Sequence, residues 1–165
     1  MKKRLLAIAV LPLVMVSTLN SYEFKPYEFP LKLTKAQSKE VECLALNIYR
    51  EARGEPHLGM VAVAFVTMNR VFNEDFPSTV CEVVKQRNKT TCQFSWYCMK
   101  GLPNINPYNY EYIKRIATLV YVNTDKIKDP TKGALFYHAD YVKPRWSFRM
   151  KKTTTIGKHI FYRDA

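Results

Sequence analysis

Between residues 35 and 53, Val41, Leu44, Ala45, Ile48 and Ala52 recur at steps of three and four, so they share one face of an amphipathic helix. Thr34-Lys-Ala-Gln37 has the spacing of a capping box and places the start of that helix at Lys35. Gly54 offers a permissive backbone where the pattern stops, and Pro56 suits the first turn of a second helix. From Leu58 to Val71 apolar residues fall almost all the way round, which marks a helix over residues 57–72 buried on most sides. Asp75-Phe-Pro77 breaks the pattern ahead of a short helix at 78–86. Residues 87–107 have no clear period and read as a long loop. Asn106-Pro107 then opens a helix to Val122 with Ile113, Ile116, Ala117 and Val120 on one face. After Asp129-Pro130 the period changes, and short runs at 134–138, 153–156 and 159–162 predict strands, the last two joined by a tight turn at Gly157-Lys158. Helices first and a small antiparallel sheet last give an α+β class, mostly helical.

This pattern gives one carboxylate an unusual place. At 3.6 residues per turn, Glu51 lies roughly 80° from the centre of the first helix's apolar face. A side chain on that flank is half buried and still reaches a cleft. Desolvation there raises a carboxyl pKa and keeps it protonated as a general acid. Glu55 follows one turn later, beyond Gly54.

The N-terminus adds a destination. Met1-Lys-Lys-Arg4 is a basic start, and the apolar run from Leu5 to Leu19 is shorter than the roughly 20 residues that span a bilayer. Residues 1–21 therefore read as a signal peptide or signal-anchor, and 22–33 as a linker to a single catalytic domain at 34–165. This predicts an exported protein of the periplasm or cell envelope, tethered to the inner membrane if the segment stays uncleaved. Cys43, Cys81, Cys92 and Cys98 suit that destination as two disulfides, for which three pairings exist. Cys92 and Cys98 enclose a short aromatic loop that a local bond would staple; Cys43 and Cys81 would then tie the first helix to the one after Pro77.

Composition narrows the field less. With 165 residues, of which 47% are hydrophobic, the chain supports one globular core. A formal net charge of +12 favours polyanionic surroundings. The basic residues are scattered and form no zinc-finger or RRM pattern, so nucleic acid is not the expected partner. Neither a His-Glu-x-x-His sequence nor a Cys-x-x-Cys pair is present, and no metal or other cofactor is expected.

Several blocks carry a resemblance. Tyr49-Arg-Glu-Ala-Arg-Gly-Glu-Pro56, Gly59, Val61-Ala-Val63 and Asn69-Arg-Val71 resemble the core of the SleB/CwlJ family of cell-wall hydrolases. Phe76-Pro-Ser-Thr-Val80, Cys92-Gln-Phe-Ser-Trp96, Gly133-Ala-Leu-Phe-Tyr-His-Ala139, Pro144-Arg-Trp146 and Ile156-Gly-Lys-His-Ile-Phe-Tyr162 resemble its later blocks, in order. The resemblance covers nearly everything from Cys43 to Arg163. It implies a lysozyme-like arrangement acting as a monomer on peptidoglycan glycan strands. Glu51 would be the acid/base that cleaves the MurNAc–GlcNAc bond as a lytic transglycosylase. Tyr137, His138 and Trp146 would line the cleft together with Gln93, Phe94 and Trp96, and Glu55 would bind substrate by orienting the site, or would orient Arg53 or close the turn. Gln93 supplies an amide for sugar hydroxyl and acetamido groups, and Phe94 and Trp96 supply flat faces, unless those two rings simply cover the core. His138 equally suits an ordinary hydrogen-bonded strand histidine. The competing readings are an N-acetylmuramoyl-L-alanine amidase, which would normally need zinc ligands or an activated Cys or Ser, and a non-catalytic peptidoglycan-binding module. Wall remodelling, spore germination and phage-type host lysis are all compatible roles.

Overall fold

The structure is a computed structural model that describes residues 32–165; the expected signal or anchor at 1–21 and nearly all of the linker lie outside the described residues. Four helices come first: α1 (Lys35–Ala52), α2 (His57–Val71), α3 (Val80–Lys85) and α4 (Pro107–Val122). Three strands follow: β1 (Phe136–Ala139), β2 (Lys151–Ile156) and β3 (His159–Arg163). The sheet is antiparallel in the order β1-β3-β2.

Local sequence explains the helix starts. The Thr34 hydroxyl accepts from the Gln37 amide at 3.2 Å, and the Gln37 side chain accepts from the Thr34 amide at 3.0 Å, a complete capping box. Asn106 caps α4 through the Asn109 amide at 3.1 Å, with Pro107 in the first turn. The expected role of Gly54 is different in the structure. It has no positive φ, and α1 ends in a right-handed turn in which the Glu55 amide donates to the Ala52 carbonyl at 2.9 Å. Pro56 then stands just ahead of α2 rather than inside it.

The core forms where α1, α2 and α4 meet, around Leu44, Ile48, Val63, Phe65, Ile113 and Val120, each at most 1% exposed. The buried face of α1 is the one its periodicity marks: Val41, Leu44, Ala45, Ile48 and Ala52 are all inside. A second, smaller cluster joins Ala62 and Val66 of α2 to Ala134 and Phe161 and seats the sheet on that helix.

Residues 87–107 hold more order than their sequence suggests. An isolated bridge pairs Arg87 with Cys92, and a 3-10 turn covers Ser95–Cys98. Cys92 bonds to Cys98, and Cys43 bonds to Cys81, tying α1 to α3. The bridge from Cys43 to Cys81 closes a loop with a sequence separation of 38. In the chain-entropy picture its loss costs about 4 kcal/mol. Replacing Cys43 and Cys81 together by Ala is therefore expected to lower the urea midpoint strongly, with the far-UV circular dichroism of the folded state unchanged.

The strand boundaries shift from their sequence expectation for a tertiary reason. β1 begins at Phe136, not 134: the Leu135 amide still donates to the Tyr162 carbonyl at 2.9 Å, but the Ala134 and Leu135 carbonyls accept from side chains of α2. β2 begins at Lys151, two residues early, and a register shift between Lys152 and Thr154 breaks its alternation, so its polar run carries no period-two signal.

Candidate active site

Glu51 sits in the last turn of α1, partly buried. The hydroxyl of Tyr137, from the middle of β1, donates to its Oε2 at 3.0 Å. Burial holds the Glu51 carboxyl above its ordinary range, while the Tyr137 hydrogen bond and the charge of Arg70 pull it back down. Burial and the neighbouring Glu51 charge push the Tyr137 phenol well up, so it stays protonated and is the donor of this pair.

Two adjacent residues of α2 place Tyr137. The Asn69 amide donates to Asp129 Oδ2 (3.0 Å), Thr131 Oγ1 (3.3 Å) and the Ala134 carbonyl (3.0 Å). Asp129 in turn accepts from the Thr131 and Gly133 amides, each at 2.7 Å, and shapes the turn at Lys132 and Gly133, both at positive φ. Arg70 Nε donates to the Leu135 carbonyl at 2.7 Å. The path into β1 is thus pinned at two successive residues, and Tyr137 follows two residues on.

Arg70 is 2% exposed. Its guanidinium lies 5.3 Å from the ring centre of Phe76, 5.1 Å from that of Phe94 and 5.6 Å from that of Phe136. With the Gln93 amide turned so that its oxygen faces the guanidinium, that oxygen accepts from both terminal nitrogens at 3.0 and 3.2 Å. Burial lowers the Arg70 pKa to about 10, with Tyr137 and Glu51 opposing the shift, so the group remains a cation at neutral pH. Sequence reasoning passed over Arg70, though a signal was present. It is the lone charge in a helix otherwise apolar all round, and such a charge must find partners inside.

The remaining expected residues divide. Gln93 joins the site through Arg70 and is exposed at its edge. Phe94 and Trp96 are only 3% and 8% exposed, so of the two readings open for them they cover the core and do not offer faces to sugar rings. The reason is the fully buried Asn47, one turn before Glu51, whose Oδ1 accepts from Trp96 Nε1 at 3.0 Å while its Nδ2 donates to Thr67 at 3.1 Å. These contacts draw the stapled loop onto α1 and turn its rings inward. His138 takes the other reading left open for it, that of an ordinary hydrogen-bonded strand histidine, and Trp146 is its neighbour. Strand alternation sends His138 to the opposite sheet face from Tyr137. There its Nε2 accepts from the Tyr162 hydroxyl at 3.0 Å and its Nδ1 donates to the Ala139 carbonyl at 2.9 Å. Trp146 packs on that same face, against Phe136, His138 and Tyr162.

Glu55 is engaged elsewhere. Its Oε2 accepts from the Lys158 amide at 2.9 Å, fastening the β2–β3 turn to the α1–α2 junction. Gly157, at φ +56°, suits the turn because other residues rarely adopt that backbone, and a Cβ there would also push the Glu55 carboxylate off the Lys158 amide. Gly157→Ala is expected to cost about 1–3 kcal/mol from the positive φ and this displacement together, read as a lowered urea midpoint. Between this turn and the acid lies His159, whose ring meets the Tyr137 ring edge-on with centroids 5.0 Å apart. Burial lowers its pKa, with Glu55 and Asp140 opposing, and its Nδ1 is buried with no hydrogen-bond partner. The arrangement is thus one partly buried acid held by a phenol and flanked by a buried cation, with the nearby second carboxylate fixed in a turn.

The sequence profile of the family described as Cell Wall Hydrolase matches residues 54–162, beginning three positions after Glu51. The spore cortex-lytic enzyme of Bacillus cereus is 36% identical over 123 residues, 74% of this chain and 43% of that protein. That of Bacillus subtilis is 32% identical over 125 residues, 75% of this chain and 37% of that protein. The chain thus spans less than half the length of these curated relatives. Among solved structures, the catalytic domain of the germination-specific lytic transglycosylase SleB from Bacillus anthracis is similar with a TM-score of 0.60 at 32% identity, covering 82% of this chain and 100% of that domain. The catalytic domain of the Bacillus cereus SleB protein gives 0.56 at 30% identity, covering 81% and 94%. Its helices, its sheet and the spread of these matches agree: the chain belongs to the cell wall hydrolase family.

Proposed function

We propose that this protein cleaves the MurNAc–GlcNAc β-1,4 bond of peptidoglycan as a lytic transglycosylase, with Glu51 as its single acid/base. The observation that carries this reading is the different use of two carboxylates. Glu51 is partly buried and raised in pKa with one oxygen held by Tyr137, whereas Glu55 is bound to the backbone of a turn. A two-carboxylate hydrolysis would need the second group free to act as nucleophile or base.

In the single-acid scheme Tyr137 holds Oε2 and leaves Oε1 to meet the substrate. Glu51 protonates the glycosidic oxygen, the C1–O bond of the N-acetylmuramic residue breaks, and positive charge develops at C1. The Glu51 carboxylate left behind is stabilised by the Tyr137 hydroxyl and the Arg70 charge. It then takes the proton of the C6 hydroxyl as that oxygen closes on C1. The product is a 1,6-anhydro sugar, Glu51 regains its proton, and water is not consumed. Raised acidity range and charge stabilisation thus serve successive halves of one cycle.

Mass spectrometry of the muropeptides released from purified sacculi tests this directly. Anhydro-muropeptides, one water lighter than their reducing counterparts, are expected. Reducing sugars would replace transglycosylation by hydrolysis, and free stem peptides would replace glycan cleavage by amidase chemistry. Delivery to the envelope belongs to the same proposal and rests on the basic, apolar N-terminal sequence together with two disulfides, which persist in oxidising compartments.

A further inference from the structure

The chain between β1 and β2 is not used by the site described above. It starts where the Asp140 amide donates to the Lys158 carbonyl at 2.8 Å, and it is anchored by Trp146 on the outer sheet face against Phe136, His138 and Tyr162. Around this anchor the chain is tightly folded. The Val142 amide donates to the Ala139 carbonyl, the Ser147 amide to that of Pro144, and the 3-10 turn Arg145–Arg149 is built on them. Two large rings nevertheless point outward: Tyr141 is 82% exposed and Phe148 77%, with Val142 beside them at 41%. Five exposed cations occupy the same stretch, Lys143, Arg145, Arg149, Lys151 and Lys152, and no Asp or Glu lies between Tyr141 and Lys152. Among the described residues none of the five is in an ion pair.

We propose that this loop is a docking surface for a membrane rich in anionic phospholipid, with Tyr141 and Phe148 entering the headgroup region and the five cations facing lipid phosphates. The argument is one of charge and chemistry together. Charges on an edge strand such as β2 discourage strand pairing, which accounts for Lys151 and Lys152. It does not account for two exposed rings on an anchored loop. Tyr favours the bilayer interface because its ring is apolar and its tip polar, Phe enters it as an apolar anchor beside basic residues, and each nearby Lys or Arg adds attraction to an anionic surface. The sugar rings of a glycan chain would use exposed rings but carry no charge of their own; the carboxylates of peptidoglycan stem peptides could attract the cations without taking up two bare rings, so loss of sacculus binding is the competing outcome of the test.

The test uses the full chain and sedimentation with vesicles of phosphatidylcholine alone or with added phosphatidylglycerol. The basic N-terminal segment contributes to binding in every variant, so the readout is the change from wild type. Lys143→Glu with Arg145→Glu and Arg149→Glu is expected to lower partitioning onto the anionic vesicles roughly tenfold or more, with little change on the neutral ones. Added salt should abolish most of the difference. Phe148→Trp supplies a probe in the loop, read as the difference from wild type because Trp96 and Trp146 also emit: the added emission should shift to the blue and resist aqueous quencher only with anionic vesicles. Both sets of variants should release muropeptides from sacculi at the wild-type rate, which shows that they are folded. Equal vesicle binding by wild type and the triple variant overturns the proposal. So does an added indole in the Phe148→Trp variant that stays open to quencher, or a triple variant that loses binding to sacculi instead of vesicles. None of these outcomes depends on whether Glu51 is the acid.

Discussion

Glu51→Gln should reduce muropeptide release by roughly a thousandfold while leaving the fold intact. The amide has the shape of the carboxylic acid, and its oxygen still accepts the Tyr137 hydrogen bond that now measures 3.0 Å. What it lacks is a proton to give and a charge to receive one. Stability should change little, because the amide keeps an acceptor for the Tyr137 hydroxyl and removes a carboxyl whose charged form burial disfavours. Glu55→Gln provides the contrast. Its amide oxygen can still accept from the Lys158 amide, so both the rate and the unfolding midpoint should stay close to wild type. If Glu51→Gln keeps a rate within a few fold of wild type, or if Glu55→Gln proves the inactive one, the assignment of the acid fails.

Arg70→Met should slow the reaction roughly ten- to hundredfold and move the alkaline limb of its pH profile upward. The direction follows from the sign of the interaction. Arg70 lowers the pKa of Glu51 against the desolvation that raises it, so removing the cation lets desolvation act with less opposition. Glu51 then keeps its proton to higher pH. It is also a weaker acid, and its carboxylate loses a counter-charge after the proton is delivered, so the rate at the plateau falls. Methionine fills the apolar part of the space between Phe76, Phe94 and Phe136 but leaves the Leu135 carbonyl without its donor, which should cost about 1–3 kcal/mol of stability. Arg70→Lys separates the two effects, because it keeps a charge and loses the guanidinium fork. A limb close to wild type with lowered stability is expected for Lys, and a shifted limb for Met. A profile that stays put in both variants would show that Arg70 acts by packing alone.

Much of the helical half was legible before any tertiary information. Capping at Thr34 and Asn106, the three-and-four spacing of Val41 to Ala52 and the all-round apolar run of α2 are local, and local physics decided them. The pairing of Cys92 with Cys98 was legible for the same reason, since only a short loop separates them. Residues 87–107 were harder to read. Beyond that disulfide, their order depends on a short bridge that no period signals and on the seat of Trp96 on Asn47, a partner far earlier in the chain. The strand ends were misplaced because the partners of the Ala134 and Leu135 carbonyls are the side chains of Asn69 and Arg70, in a helix far earlier in the chain.

The sequence by itself determined the class of fold, the family, and the presence of an acid on the flank of a buried helix, because each rests on spacing along the chain. Only the tertiary structure decided which neighbours that acid has. Strand alternation admitted Tyr137 and sent His138 away, packing turned Phe94 and Trp96 inward, a turn occupied Glu55, and a buried arginine came to lie beside the acid. The physical reason is that a helix or strand periodicity fixes which face a side chain joins, whereas its hydrogen bonds, desolvation and nearby charge depend on what other elements bring to that face.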